Sequence, residues 1–162
     1  MIYLACILVT GVGATAITDV WSILRKVVFR VPPPDFGLVG RWFAYMPQGR
    51  FHHESIRSSS AVNGERYIGW TMHYVIGIVF AALLGAVDGS AWFEHPTLLP
   101  ALIIGATTVV APFFLMQPGM GAGVAASRTP NPTSARIHSV VTHTIFGIGL
   151  YIAGCAARFL VI

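Results

Sequence analysis

The chain is 162 residues long, 55% hydrophobic and only 10% charged, with a formal net charge of +4 and a mean hydropathy of +0.71. A soluble domain of this size carries about 25% charged residues, so composition excludes an ordinary soluble fold. The basic residues are scattered and lack a binding fold, which excludes a nucleic-acid partner and favours contact with lipid headgroups.

Four apolar segments follow in chain order, at about 2–22, 67–86, 98–117 and 138–160. Each is close to the roughly 20 residues that cross the hydrocarbon core. The runs are unbroken rather than alternating, which argues against a β-barrel. The expected fold is an all-α integral membrane protein: one membrane domain over 1–162, built as a four-transmembrane-helix bundle in the lipid bilayer.

The first segment is followed, not preceded, by basic residues: Arg25, Lys26 and Arg30. That polarity predicts a retained helix rather than a signal peptide. The connection over 26–66 opens on Pro32-Pro33-Pro34 and carries Trp42, Phe43, Tyr45 and Phe51 among arginines. A structured cytoplasmic loop with a short amphipathic helix is expected there. Glu65 and Arg66 at its end read as an ion pair. Inside it, His52, His53 and Glu54 form a metal-like run, but Arg57 stands where a H-E-x-x-H motif needs its second histidine. Solvated loop histidines are the expected reading, with a metal site the weaker one.

The second connection carries Asp88 and Glu94 but no Lys or Arg, with Trp92 and Phe93 placed for an interface and His95 exposed. The third, rich in Gly, Pro and Ser, should form a structured turn. Its Met116 and Met120 read as gap-fillers before Cu(I) ligands. This charge asymmetry places the first and third connections in the cytoplasm and both termini outside. Cys6 and Cys155 are expected as small buried thiols rather than a disulfide.

One pattern occurs twice. Arg66, His73 and Gly77 recur as Arg136, His143 and Gly147 at the same spacing. Gly13-Ala14-Thr15 in the first segment is echoed by Gly105-Ala106-Thr107 in the third, so two tandem αα-hairpins are a natural arrangement. By helix rise, Asp19, His73, Gln117 and His143 should share one polar layer in the cytoplasmic leaflet. Stripes of small residues around them point that layer inward. Intramembrane ionisable groups are costly and point to function.

Several chemistries fit such a layer. His73 and His143 are placed to ligate haem b axially, with Gly77 and Gly147 leaving room for the macrocycle and Arg66 and Arg136 near the propionates. A transition metal on His73, His143 and Asp19 is a second reading. A small solute or proton-coupled transporter is an alternative, for which Pro112 and Gln117-Pro118 hint at a discontinuous helix. A structural or assembly subunit of a larger membrane complex, or a homo-oligomer, is another. No hydrolase, P-loop or dinucleotide fingerprint is present, so no catalytic residue is assigned and enzymatic activity is left open.

The stretches GATAITDVW, VGRWFAYMPQGRFHHESI, NGERYIGWTMHYVIGIVFA, PTLLPALIIGATTVVAPFFLMQPGMGAGVAASRTPNP and THTIFGIGLY together resemble an uncharacterised family of small bacterial inner-membrane proteins, domain of unknown function 2938. The resemblance covers nearly the whole chain. It implies four helices and a multi-pass inner-membrane location, and it carries no activity, ligand or catalytic residue.

Overall fold

The computed structural model describes residues 1–160, which contain helices, turns and no strand. In chain order the α-helices are α1 (Ile2–Phe29), α2 (Phe36–Tyr45), α3 (Glu65–Asp88), α4 (Leu98–Thr107), α5 (Gln117–Gly119) and α6 (Pro132–Ala157). Four stretches are long and apolar enough to cross a membrane: Ile2–Phe29, Glu65–Asp88, Leu98–Gly119 and Pro132–Leu160. The all-α, four-span architecture is therefore as expected, and the chain is a multi-pass membrane protein.

The helix ends differ from the sequence reading for identifiable reasons. α1 runs on to Phe29 instead of stopping near 22, because Ile23, Leu24, Val27 and Val28 prolong the apolar run. Lys26 in its last turn suits the negative end of the helix dipole. Arg30, in the left-handed region at φ 55, then ends it ahead of the proline run. α6 starts at Pro132, whose fixed φ suits a first helical turn.

The chain divides into two compact units. The first holds Met1–Pro33, Tyr74–Thr108 and the residues from Val141 onward; the second holds Pro34–His73 and Val109–Val140.

In the first unit, small residues let helix backbones meet. A Cβ on Gly11 would stand 2.5 Å from Ile78 Cα, and one on Gly149 would stand 3.0 Å from Ala14 Cα. Close approach of this kind holds membrane helices together where water cannot drive association. Cys6, Ala14, Ala81, Leu84 and Leu150 form the fully buried centre. Trp92 and Phe93, expected at an interface, are instead buried at 3% and 1% exposure. A 3-10 turn over Ser90–Phe93 folds them back. Trp92 then covers Gly154 and Phe93 covers Gly85, where a larger residue would have no space. The indole N–H donates to the Thr97 carbonyl at 3.2 Å. Cys6 and Cys155 are free thiols.

The second unit is built from the two connections with flanking helix turns. Asp35 caps α2, its Oδ1 accepting from the N–H groups of Gly37 (3.0 Å) and Leu38 (3.4 Å). α2 packs against the first turns of α3 through Gly40 and Gly69, where a Cβ on either would collide with the facing backbone. Trp42, Tyr45 and Ile56 form its core, with Met116 and Met120 packed against them. Both methionines are thus gap-fillers. Two backbone bonds, His53 N–H to Gly119 O at 2.9 Å and Ile56 N–H to Met120 O at 3.1 Å, join the connections to each other. The short helix expected in the first connection is α2.

Candidate functional site

The third span is not one regular helix. α4 ends at Thr107, a turn covers 108–109, and Pro112–Met116 is π-helical before α5 resumes. Pro112 causes the irregularity. It has no N–H to give to the carbonyl four residues earlier, and its ring crowds that turn. The wider coil follows, with Gln117 N–H bonding to Pro112 O. Single π-turns of this kind are rare and gather at functional sites.

Thr108 stands at the break, and a histidine is attached to it. Thr108 Oγ1 donates to Gly105 O at 2.6 Å and lies 2.9 Å from His143 Nδ1. A hydroxyl has one proton. With that proton on Gly105 O, the oxygen accepts from Nδ1–H, which assigns the Nδ1-protonated tautomer and leaves Nε2 as the basic nitrogen. The backbones set this geometry. A Cβ on Gly105 would stand 2.5 Å from Gly147 N and 3.0 Å from His143 O, so the two helices touch beside the histidine.

The other expected members of the polar layer have local partners. Asp19 Oδ2 accepts from the Tyr74 hydroxyl at 2.9 Å, within the first unit. Gln117 Nε2 donates to Ser139 Oγ at 3.4 Å in the second unit, and its Oε1 is buried without a protein partner. The His73 ring packs on Phe36 at 4.4 Å and edge-on to Trp70 at 5.9 Å, also in the second unit. Asp19 and His143 belong to the first unit, and His73 and Gln117 to the second.

The space beside the glycine of each motif copy is occupied. The space beside Gly77 is filled by Thr15 and Gly11, and that beside Gly147 by Ala101 and Leu102. Both glycines are thus positions of close helix contact. Arg136 Nε donates to Ala125 O at 2.7 Å, and Arg66 is exposed. Among the described residues, no group of three or more His, Cys, Asp and Glu side chains is arranged to hold a metal ion.

Two further expectations are corrected. Glu65 pairs not with its neighbour Arg66 but with Arg41, whose Nε and Nη2 each reach a carboxylate oxygen at 2.8 Å. Arg66 faces away because adjacent helical residues do not share a face. His53 is not a solvated loop residue. It is buried, with Nδ1 2.9 Å from Ser59 Oγ and its ring 5.2 Å from that of Tyr45, whereas His52 and Glu54 are exposed.

Sequence reasoning missed Thr108, Tyr74 and Arg41. Thr108 was recoverable, since the carbonyl left without its helical donor is the one four residues before Pro112. Arg41 and Glu65 are separated by 24 residues with no periodicity to link them.

The sequence model of a family described as "Protein of unknown function (DUF2938)" matches residues 8–157. No curated protein and no solved structure matches the chain.

Proposed function

We propose that the chain, which belongs to the DUF2938 family, is a proton-coupled carrier of a small polar solute in the bacterial inner membrane, with His143 as the proton-bearing group. The observation that carries this reading is the break in the third span at Thr108, where His143 is attached. In hydrocarbon, irregular backbone survives only where it is buried in protein or lines a cavity, and broken helices are how membrane carriers build solute sites.

Both ring nitrogens of His143 take part in the proton cycle. His143 holds a proton on Nδ1, directed at Thr108 Oγ1, and takes up a second on Nε2. The resulting imidazolium keeps its bond to Thr108 and returns to neutrality by losing the Nε2 proton. Asp19, hydrogen-bonded to Tyr74, is a second ionisable group in the same unit. For orientation, the second unit carries Arg41, Arg50, Arg57, Arg66, Arg128 and Arg136 against Asp35, Glu54 and Glu65. The excess of arginine supports a cytoplasmic side for both long connections, with the termini outside.

The test is proton movement in liposomes. Purified protein is reconstituted with a trapped pH dye, a potassium diffusion potential is applied, and the assay is run with and without a deproteinised small-molecule extract outside. The wild type is expected to move protons faster than empty liposomes. His143→Ala and Thr108→Val should each reduce that rate at least about tenfold. Proton movement no faster than in empty liposomes, or unchanged in His143→Ala, would refute the proposal.

A further inference from the structure

The second unit contains a polar cleft of about 740 Å³, lined by Tyr45, Arg50, His52, His53 and Glu54 together with serines between 55 and 60. It owes its shape to a tight return of the chain. The 3-10 turn Met46–Gln48 ends at Gly49 in the left-handed region, φ 75. Arg50 is thereby brought back over the Tyr45 ring, its guanidinium carbon 4.9 Å from the ring centroid. The Tyr45 hydroxyl donates to Ser60 O at 3.0 Å, and His53 is held by Ser59. The floor is therefore fixed by packing and hydrogen bonds.

The donors around this floor are not consumed internally. Among the described residues the ion pair is Arg41–Glu65, so no carboxylate stands within ion-pair distance of Arg50, while the exposed Glu54 lines the same cleft. His53, only 5% exposed, keeps a buried Nε2 with no protein partner. Ser58 and Ser60 are exposed at the rim. One guanidinium beside several hydroxyls is an arrangement for a phosphate, because arginine presents a fork of N–H groups and the hydroxyls can donate to the remaining oxygens. The volume leaves room for more than the phosphate itself. It lies within the roughly 300–1,000 Å³ of small-molecule sites, far more than a bare inorganic ion fills. A metal is disfavoured, since His52, His53 and Glu54 line the cleft without converging.

We infer that this cleft binds a phosphate ester of a small organic group, with Arg50 as the anion-holding residue and Ser58 and Ser60 as hydroxyl donors. Such a group comes either from a phospholipid headgroup or from a soluble metabolite. The protein in detergent is titrated calorimetrically with phosphoethanolamine and with glycerol phosphate. In parallel, protein in nanodiscs of phosphatidylethanolamine and phosphatidylglycerol is examined by native mass spectrometry for retained lipid. Binding of a soluble ester that Arg50→Ala weakens at least about tenfold identifies a metabolite site. Retained lipid that Arg50→Ala strips away identifies a headgroup site. In both cases Arg57→Ala, which changes an exposed arginine outside the cleft, should leave binding intact, and Ser58→Ala with Ser60→Ala should weaken it. The inference fails if neither probe binds, or if Arg57→Ala weakens binding as much as Arg50→Ala.

Discussion

Replacing Glu65 by Ala should open the second unit selectively. Arg41 makes four hydrogen bonds: two to the Glu65 carboxylate at 2.8 Å, one to Ile56 O at 3.2 Å and one to Ser59 O at 2.9 Å. Glu65 also accepts from the Val62 N–H at 2.9 Å. The pair thus ties α2, the turn after it and the start of α3 together. Its side chains are 12% and 21% exposed, so breaking it leaves a largely desolvated guanidinium with two carbonyls and no counter-charge. Removing one partner of a buried pair costs about 3–5 kcal/mol, and partial exposure places this case at the lower end, about 3 kcal/mol. That corresponds to roughly a hundredfold fall in the closing equilibrium of the unit. Hydrogen exchange read by mass spectrometry is the assay. Amides within 36–60 should exchange roughly a hundred times faster in Glu65→Ala, while those of 98–107 stay as in the wild type. Glu65→Gln, which keeps the shape and loses the charge, should fall between. Exchange over 36–60 within about threefold of wild type would refute the assignment of Arg41 as the organising cation.

Gly105→Ala should destabilise the protein by about 1–3 kcal/mol, because the added methyl meets the Gly147 backbone. Gly49→Ala, in the left-handed region at φ 75 and ψ 10 with open space around it, should cost only about 1 kcal/mol; equal losses on detergent-titrated unfolding would contradict the close α4–α6 contact. Burial, reinforced by the nearby Arg50, lowers the His53 pKa below its ordinary value. The unfolded chain therefore takes up this proton first, so the His53 contribution is complete above about pH 6.5 and is lost as pH falls below it. His53→Gln should flatten that slope; a slope unchanged by the substitution would count against it. Ala125 sits at φ 47 within the third connection. Ala125→Gly should raise the unfolding midpoint by relieving about 1 kcal/mol of left-handed strain, and a lower midpoint would disprove the strain.

Hydropathy made the four spans legible because lipid-exposed helices have no need of charge. The small-residue stripes were also legible: Gly69, Gly77 and Ala81 are buried along α3, at the fourfold spacing the sequence displays. The break in the third span was only hinted at. An apolar window over 98–117 averages side chains and is blind to the missing N–H of Pro112. The aromatic pair Trp92-Phe93 looked interfacial because composition carries no information about a 3-10 turn that folds it inward. The Arg41–Glu65 pair and the cleft beside Arg50 depend on contacts distant in sequence, made by loops whose turns are set by single residues such as Gly49.

The repeated motif has kept its packing and diverged in chemistry, and the point of divergence is a single position. A Cβ on Gly77 of α3 would stand 3.2 Å from Gly11 O, and one on Gly147 of α6 would stand 2.9 Å from Ala101 O. By these contacts Gly11 corresponds to Ala101, two residues out of register with the Gly-Ala-Thr echo, and seven residues further on stand Thr18 and Thr108, both buried, at 5% and 6% exposure. Thr18 donates to Ala14 O at 2.9 Å, the carbonyl four residues back, in an uninterrupted helix. Thr108 donates to Gly105 O, three residues back, at a helix end. Four residues beyond each threonine the copies differ: Ser22 in α1 and Pro112 in the third span. Serine lets α1 continue to Phe29, whereas proline forces the turn and the π-helical segment. The histidines, four residues before their glycines in both copies, therefore face different neighbours. His73 lies in an aromatic cluster with Phe36 and Trp70, whereas His143 meets a hydroxyl at a broken helix. Only the second setting joins a titratable group to irregular backbone within the span, which is why the proposed proton site is assigned to one half of the repeat and not to both.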